Sequence, residues 1–401
     1  MVFNTEIVSF AETPLSRGGK DRGEFLMTSE QYLSWATRLT LEKIGLSIQD
    51  LNNQGLAVAA PLMYISELWT GDIAEILGVT PKILIPSDHG GASASNLILQ
   101  AGLMIESGLV DMVLCLGGGA RSWTEARMSS PHQYRIDFEK PYGMDGSNTK
   151  YALVAQRHFH QYGTRSEHFA KIAITQRMHA SLNPNAYLKQ PITEKDYAES
   201  PIICSPLRML DCSIAVDGAS GFLLASSEKA KEITDNPIKI LGCGTISNYR
   251  EGSDVFPDFT VTGVKLAARS ALDQAGLSPD KISLLHCYDD YNIMTLIQIE
   301  DAGFCKKGEG GKFADKTDLS YKGDLPLNTG GGLLSAGQIP GGGSFTGIIE
   351  VVRQLSDEAG TRQVKGARTG LVTSLGGLSY DLNVINAAAV VLANESGMKR
   401  T

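Results

Sequence analysis

The segment Ile85-Pro86-Ser87-Asp88-His89-Gly90-Gly91-Ala92-Ser93-Ala94-Ser95 leads from a short apolar strand, residues 83–85, into a long helix. A glycine-hinged turn places its residues at a helix N-terminus, where free N–H groups and the helix dipole favour developing negative charge. Such a turn suits the nucleophile of an acyl transfer. It contains no cysteine. The segment therefore predicts acyl chemistry from which the usual attacking group is missing.

The composition is typical of a globular enzyme with a large core. The chain has 401 residues, of which 42% are hydrophobic and 20% charged, with a net charge of −8 and no extended basic block. This balance argues against nucleic acid and anionic membranes as general partners. The first residues lack the apolar core of a signal peptide, and no segment approaches the roughly 18 apolar residues of a membrane span. We expect a cytoplasmic protein that does not cross a membrane.

The cysteines are scattered along the chain without CxxC pairs. They are Cys115, Cys204, Cys212, Cys243, Cys287 and Cys305. In a chain of this size, such spacing indicates reduced thiols and not a disulfide framework or a zinc site. We therefore expect no bound metal.

Two pairs of segments indicate an internal duplication. Residues 36–47 and 267–278 share a helical pattern that ends at a glycine, Gly45 or Gly276, and an apolar run follows each. Residues 112–118 and 370–377 are apolar strands that end in Leu-Gly-Gly, and each follows a predicted helix, 96–107 or 346–355. Two matches in the same order predict a duplicated α/β half.

The duplication gives a division into domains. We expect an N-terminal half at residues 1–240, a C-terminal half at 241–401, and a loop domain inserted at about 121–210. The insertion is polar, aromatic and dotted with prolines, and its patterns predict helices at 151–162 and 166–182. Inserted loops of this kind usually carry substrate specificity, and Trp123, His132 and Tyr134 are candidates to line the pocket.

Several ordered motifs resemble the thiolase superfamily, and in particular its sterol-carrier-protein/lipid-transfer branch. They are Tyr288-Asp289-Asp290-Tyr291-Asn292, residues 300–305, 307–311, 325–332, 354–355 and 362–364, together with residues 179–186 and 211–219. The resemblance covers essentially the whole chain. It implies a thiolase-like α/β fold with two duplicated mixed halves in five layers (αβαβα), and a homodimer. It also implies a CoA thioester as substrate, with no covalently bound cofactor.

The resemblance also implies where the catalytic groups lie. The nucleophilic cysteine of a thiolase falls at Gly91, the histidine of its Gly-His-Pro turn at Gln338, its second cysteine at Ser374, and its strand-end histidine at Tyr288. All four chemical groups are changed in this chain. Since glycine cannot attack an acyl group and glutamine is no useful base, we expect no ordinary thiolysis. The gap at Gly91 is predicted to make room for a larger substrate.

Other side chains are candidates to replace the missing groups. Tyr288 can donate a hydrogen bond to a thioester oxygen, or remove a proton when its neighbours lower its pKa; its alternative is a packed tyrosine at a strand end. His89 is a candidate base, or else a structural hydrogen-bonding residue. Ser93 is more typical of a helix cap than of a nucleophile. Gln338 is a catalytic candidate as a donor to an enolate oxygen. Asp289 is a further catalytic candidate, although a carboxylate there also suits N–H groups of a turn.

Two classes of function stay open. The first is an acyl-CoA carbon–carbon lyase, because the resembled branch includes aldolases that cleave steroid β-hydroxyacyl-CoA side chains by retro-aldol reaction without an acyl-enzyme. An enolate would be held near Gly91, Asn328, Gly331, Ser344 and Ser374, with glycine-rich turns that bring N–H groups close, or that serve helix–sheet packing. The alternatives are acyltransferase or thiolase-type condensation in a heteromeric complex, and a non-catalytic acyl-CoA-binding subunit. The branch also implies a small zinc-ribbon/OB-fold partner subunit.

Overall fold

A computed structural model describes residues 4–18, 26–61, 68–120, 139–144, 146–252, 258–379 and 382–398. Its strands are β1 (Thr5–Glu12), β2 (Gly55–Ala59), β3 (Ile83–Ser87), β4 (Met112–Gly119), β5 (Ile202–Cys204), β6 (Leu207–Arg208), β7 (Gly218–Ser226), β8 (Ile238–Ser247), β9 (Leu284–Cys287), β10 (Thr369–Leu378) and β11 (Val384–Ala393). Its α-helices are Ser29–Glu42, Trp69–Leu77, Ser93–Glu106, Ser147–Tyr162, Ser166–Leu182, Glu194–Glu199, Ser227–Ile233, Val264–Ala275, Asn292–Asp301, Gly310–Lys316, Gly343–Leu355 and Glu395–Met398.

The sheet repeats one strand order in its two halves. The order is β3-β2-β4-β7-β1 in the N-terminal half and β8-β11-β10-β9 in the C-terminal half. In each half the first and last strands pair antiparallel, β1 with β7 and β8 with β11. Parallel pairs lie farther out: β2 pairs with β3 and β4 in the N-terminal half, and β9 pairs with β10 in the C-terminal half. A parallel bridge from Leu285 to Leu327 adds the counterpart of β3 beside β9. This repetition agrees with the predicted duplication.

The halves meet at a narrow seam, where β1 and β8 pair at two positions, Glu6 with Lys239 and Ile7 with Ile238. Helices Ser93–Glu106 and Gly343–Leu355 pack against each other and against strands of both halves. Helix Ser29–Glu42 covers the outside of one half, and helix Val264–Ala275 covers the outside of the other. These layers give the five-layer αβαβα arrangement that was predicted.

Three buried apolar clusters lie between the layers. One contains Leu33 and Leu114 beneath the outer N-terminal helix, and another contains Ala267 and Val391 beneath the outer C-terminal helix. The middle cluster joins the central helices through residues such as Ile98 and Ile348. Burying apolar side chains on each face of the sheet is the main favourable term in such a fold.

Local signals set several helix ends. Thr28 and Gln31 form a capping box at the start of Ser29–Glu42. Gly276 closes Val264–Ala275 in the left-handed conformation, at φ +65°, as the sequence pattern predicted. Among the helices of the described ranges, none is long and apolar enough to cross a membrane.

In the described part of the inserted segment lie three α-helices, Ser147–Tyr162, Ser166–Leu182 and Glu194–Glu199, and the β5–β6 hairpin. The stretch after the hairpin reaches the two turns that follow β9 and precede Gly343–Leu355. The backbone of Cys212 forms an isolated antiparallel β-bridge with Tyr291, and that of Ala215 forms a parallel one with Gln338. The insertion thus ends against the predicted catalytic positions. The predicted lining residues Trp123, His132 and Tyr134 lie outside the described residues.

Candidate active site

Tyr288 lies at the carboxyl end of β9, beside β10. Its amide donates to the carbonyl of Thr373 at 3.0 Å, which places it next to Ser374 in the neighbouring strand. The side-chain amide of Gln298 brackets this residue, with Oε1 accepting from the Tyr288 N–H and Nε2 donating to the Tyr288 carbonyl. The backbone of the strand end is therefore fixed, and the side chain is 9% exposed.

The ring of Tyr288 packs against Gly91. A Cβ atom on Gly91 would lie against this ring and the carbonyl oxygen of Leu375, closer than real Cβ atoms approach other atoms. Gly343 lies on another side, where a Cβ would be 3.0 Å from the phenol oxygen. The prediction that the gap at Gly91 makes room for a larger substrate is wrong, because the Tyr288 ring fills that space.

Gln338 holds the phenol oxygen. Its Nε2 donates to Tyr288 Oη at 2.9 Å, and its Oε1 accepts from the Ser213 hydroxyl at 2.8 Å. Gln338, Tyr288 and Gly91 therefore lie together, as their resemblance to catalytic positions implied. Leu375, which follows Ser374, completes the contact with the Gly91 turn.

The environment favours the protonated phenol of Tyr288. Burial raises its pKa well above the usual value, and the nearby charge of Asp290 raises it further, while the hydrogen bond from Gln338 opposes the shift. The sequence-based argument required a lowered pKa for Tyr288 to act as a base. Its surroundings instead suit a hydrogen-bond or proton donor.

Asp289 binds backbone N–H groups. Its two carboxylate oxygens accept from the N–H groups of Leu333 and Leu334, at 2.8 and 3.2 Å, and the side chain is fully buried. Burial raises its pKa to about 8, although these two N–H groups favour the carboxylate. The contacts fit the turn-anchoring interpretation of Asp289, because Leu333 and Leu334 follow directly on the glycine-rich turn at 328–332.

Asp290 is a second buried carboxyl that sequence reasoning did not select. Burial raises its pKa to about 7, against a hydrogen bond from Tyr151 that lowers it. The Tyr151 ring stacks on Tyr291 with the ring centroids 4.1 Å apart. The sequence gives no signal of this contact, because Tyr151 lies in the inserted segment, far from Asp290 along the chain.

His89 lies in the turn that carries Gly91 and is partly buried. Its Nδ1 is 3.0 Å from the Ser87 hydroxyl, and its backbone N–H donates to Ser93 Oγ. Burial lowers its pKa, against the opposing charge of Asp88, so the imidazole is neutral at pH 7. Ser93 is the first residue of its helix and accepts the N–H of His89, as expected of a first-turn residue bonded to the backbone; the N-cap position itself is Ala92.

The predicted enolate-binding residues have packing contacts. Asn328 pairs through its side chain with the backbone of Cys287, and Gly331, at φ +100°, packs on Ala180. Ser344 Oγ accepts from the N–H of Ala94 and so joins the two central helices. Ser374 Oγ lies 3.0 Å from the hydroxyl of Ser95. Both serines are buried.

The thiols of this chain are poor nucleophiles where burial is strong. Burial raises the pKa of Cys212, Cys243, Cys287 and Cys305 to about 12, and it raises that of Cys115 further. A thiolate is the reactive form, so these residues are largely unreactive at neutral pH. In the described ranges, no group of three His, Cys, Asp or Glu side chains is arranged to hold a metal ion.

The site is thus a tyrosine-centred cluster where a β9 turn, the Gly91 turn and the inserted segment meet in a duplicated five-layer α/β fold. Residues 247–390 match the family described as thiolase C-terminal domain-like. Over 347 residues the chain is 32% identical to the acetyl-CoA acetyltransferase of Methanothermobacter thermautotrophicus, covering 84% of this chain and 88% of that protein.

Two further comparisons point to lyases. The chain is 32% identical over 305 residues to the 17-hydroxy-3-oxo-4-pregnene-20-carboxyl-CoA lyase of Mycobacterium tuberculosis, covering 71% of this chain and 77% of that protein. The solved structure titled Ltp2-ChsH2(DUF35) aldolase matches with a TM-score of 0.85 and 25% identity over 100% of both chains. This chain belongs to the thiolase superfamily, in its sterol-carrier-protein-like branch. The predicted family, fold and enzyme class are confirmed.

Proposed function

We propose that this protein cleaves the carbon–carbon bond of a β-hydroxyacyl-CoA by a retro-aldol reaction, with a steroid or lipid side chain as the acyl group. The observation that carries the proposal is the position of Tyr288. Its ring occupies the space next to Gly91, and its hydroxyl is held by Gln338 at 2.9 Å. The Tyr288 ring thus lies beside Gly91, the position to which the resemblance assigns the nucleophilic thiol.

The reaction needs no acyl-enzyme. A base removes the proton of the β-hydroxyl, the bond between the α and β carbons breaks, and its electron pair forms the enolate of the CoA thioester. The β carbon leaves as an aldehyde or ketone. Protonation of the enolate gives the shortened acyl-CoA, and a phenol with a raised pKa is suited to hold or supply that proton.

We assign the base to His89. Its imidazole is neutral at pH 7 and lies in the turn that packs beneath Tyr288. Asp289 is the weaker candidate because both of its oxygens already accept backbone hydrogen bonds. The backbone around the substrate is held in place by the contacts of five further residues, Gly91, Asn328, Gly331, Ser344 and Ser374.

A second candidate is acyl transfer of the thiolase type. It is favoured by the 32% identity to a protein named as an acetyl-CoA acetyltransferase. The buried, protonated thiols argue against it, because condensation through an acyl-enzyme requires a thiolate. A non-catalytic acyl-CoA-binding subunit is the third alternative.

The first experiment separates these functions. The purified chain, alone and mixed with a candidate zinc-ribbon/OB-fold subunit, is offered a β-hydroxyacyl-CoA, and the carbonyl product is measured. We expect product with this substrate and no acetyl transfer from acetoacetyl-CoA. Acetyl transfer without carbonyl product would favour the acyltransferase over the lyase. The absence of both activities would favour the non-catalytic binding subunit.

Replacing Tyr288 by phenylalanine tests the role of the phenol. We expect Tyr288→Phe to lower kcat by at least about 100-fold, since it removes the donor while keeping the ring that packs on Gly91. Ser93→Ala is the matched control and retains most of the activity, because its hydroxyl only accepts a backbone hydrogen bond. Unchanged kinetics in Tyr288→Phe would remove the phenol from the mechanism.

The assembly is also part of the proposal. We propose a homodimer and a small zinc-ribbon/OB-fold partner; the related aldolase structure is titled with ChsH2(DUF35), which supports a partner subunit. The dimer is supported by the free edge of the sheet at β3, where Leu84 is 42% exposed. The cytoplasmic location stays a prediction.

A further inference from the structure

Three side chains form a directed hydrogen-bond chain. The Ser213 hydroxyl donates to Gln338 Oε1 at 2.8 Å, and Gln338 Nε2 donates to Tyr288 Oη at 2.9 Å. Within the described part of the protein, Gln338 is the hydrogen-bond partner of the Tyr288 hydroxyl. The phenol oxygen therefore receives a hydrogen bond, and its own proton remains available for a substrate oxygen.

Backbone contacts fix the position of each member independently of this chain. The Gln338 N–H donates to the carbonyl of Ile214 at 2.7 Å, and the N–H of Val216 donates to the Gln338 carbonyl at 3.1 Å. The Ser213 N–H donates to the carbonyl of Asp290 at 2.9 Å. The Ser213 hydroxyl is thus not needed to hold the backbone, and its contribution lies in holding the Gln338 amide in this orientation.

That orientation decides what Tyr288 can do. If the amide were turned over, Oε1 would accept the Tyr288 proton and Nε2 would donate to Ser213. The phenol proton would then be engaged inside the protein. A substrate oxygen that accepts from Tyr288 favours the first orientation, in which each donor in the chain strengthens the next as negative charge develops.

We propose that Ser213 is a positioning residue that holds the Gln338 amide against Tyr288 Oη and thereby keeps the Tyr288 proton directed to the substrate. This inference rests on the proposed lyase function. It assigns to the stretch that follows the β5–β6 hairpin a direct influence on the reacting proton. A serine hydroxyl can donate or accept, so Ser213 can bind the amide in either orientation. Without this hydroxyl, the amide loses the hydrogen bond opposite Tyr288 and is no longer held against the phenol oxygen.

Kinetics test this role. We expect Ser213→Ala to lower kcat about tenfold with KM changed less than twofold, which corresponds to the loss of one modest hydrogen bond. Ser213→Thr keeps the hydroxyl and restores most of kcat. In a Gln338→Leu background, Ser213→Ala has no further effect, because the two residues act through one path. Ser181→Ala, another part-buried serine of the insertion, is the control.

A second measurement needs no turnover. With tyrosine labelled at 13Cζ, the Tyr288 resonance is assigned by its loss in Tyr288→Phe, and it shifts in Ser213→Ala but not in Ser213→Thr or Ser181→Ala. Urea midpoints verify that each variant is folded. An unchanged resonance, or an equal kcat loss in the Gln338→Leu background, overturns the inference. Absence of carbonyl product from the wild type instead contradicts the proposed function, while the resonance still reports on Ser213.

Discussion

At Gly91 the missing side chain is matched by a ring that arrives from another part of the chain. Gly91 and Tyr288 are far apart in sequence, yet a Cβ on the first would overlap the ring of the second. The Leu375 carbonyl oxygen closes the space from another direction. Protein interiors have few voids, so the two residues must be chosen together.

Gly91→Ala tests this packing. We expect it to lower the free energy of unfolding by about 1–3 kcal/mol, the usual range for overpacking, and to reduce activity by displacing Tyr288. Gly71→Ala is the matched control, because a Cβ there would meet nothing within 4 Å; it lies in helix Trp69–Leu77 and is expected to be neutral or slightly stabilising. Urea unfolding checks both. A wild-type midpoint in Gly91→Ala would contradict the contact.

At the scale of residues, the sequence predicted which residues lie together better than it predicted their chemistry. The resemblance brought Gly91, Gln338 and Tyr288 to one place, and the structure shows them in contact. Neither the raised pKa of Tyr288 nor the hydrogen bond from Ser213 could be predicted, since both depend on burial and on contacts across the fold. The glycine at position 91 does not by itself reveal that the side chain of Tyr288 fills the space beside it.

Among the elements, the central helix Gly343–Leu355 carries a buried charge network. Glu350 binds Arg362 at 2.8 Å and Arg353 at 3.1 Å, and Arg353 also reaches Glu12 of β1 at 2.8 Å. Burial opposes the ionisation of Glu350, but the charges of Arg362 and Arg353 prevail and lower its pKa to about 2. The network ties this helix to the first strand of the opposite half.

Glu350→Gln tests the network at the scale of the element. The folded-state pKa of Glu350 is below its unfolded value, so its stabilisation is present above about pH 4.5 and is lost as the pH falls towards 2. We expect the variant to lose about 3–5 kcal/mol at pH 7, because Arg362 is left buried without its partner, and to lose less on acidification. Urea unfolding at several pH values measures this.

Glu358→Gln is the control for that variant. Glu358 pairs with Lys43 at 2.6 Å, but both side chains are partly exposed, and exposed pairs contribute little. We expect a change within about 0.5 kcal/mol. Equal stability of Glu350→Gln and the wild type at pH 7 would show that the buried network does not stabilise the fold.

Element positions followed from periodicity more closely than element starts did. Helix Ser166–Leu182 has the predicted bounds, whereas the helix predicted at 346–355 begins at Gly343 and the one predicted at 96–107 begins at Ser93. Glycine and serine are weak helix formers, and here the turn contacts extend the helices through them. Likewise β3 continues through Pro86 to Ser87, which an edge strand tolerates.

At the scale of the whole molecule, β3 is the terminal strand of the sheet, and no described strand pairs with its outer side. Leu84 of β3 is exposed, and so are Ile76 and Leu103, which belong to two helices that contact β3. An unprotected strand with exposed apolar side chains is suited to pair with another chain. The proposed homodimer would use this edge.

Leu84→Lys tests the dimer. A lysine on an edge strand opposes pairing, so we expect the variant to elute as a monomer while the wild type elutes as a dimer, measured by light scattering after size exclusion. Leu153→Lys, an exposed leucine in helix Ser147–Tyr162 of the insertion, is the matched control and leaves the mass unchanged. A dimeric Leu84→Lys protein, or a monomeric wild type, would exclude this interface.

The interlock of Gly91 and Tyr288 constrains the order in which such a site can arise. A cysteine at position 91 and a tyrosine at position 288 cannot occupy this backbone together, because the Cβ of the first would overlap the ring of the second. Any series of single substitutions that connects a thiol site with this one must therefore place glycine first and lose the nucleophile before it gains the phenol. Reversal must likewise remove the tyrosine first, so the two chemistries are separated by an intermediate that has neither group.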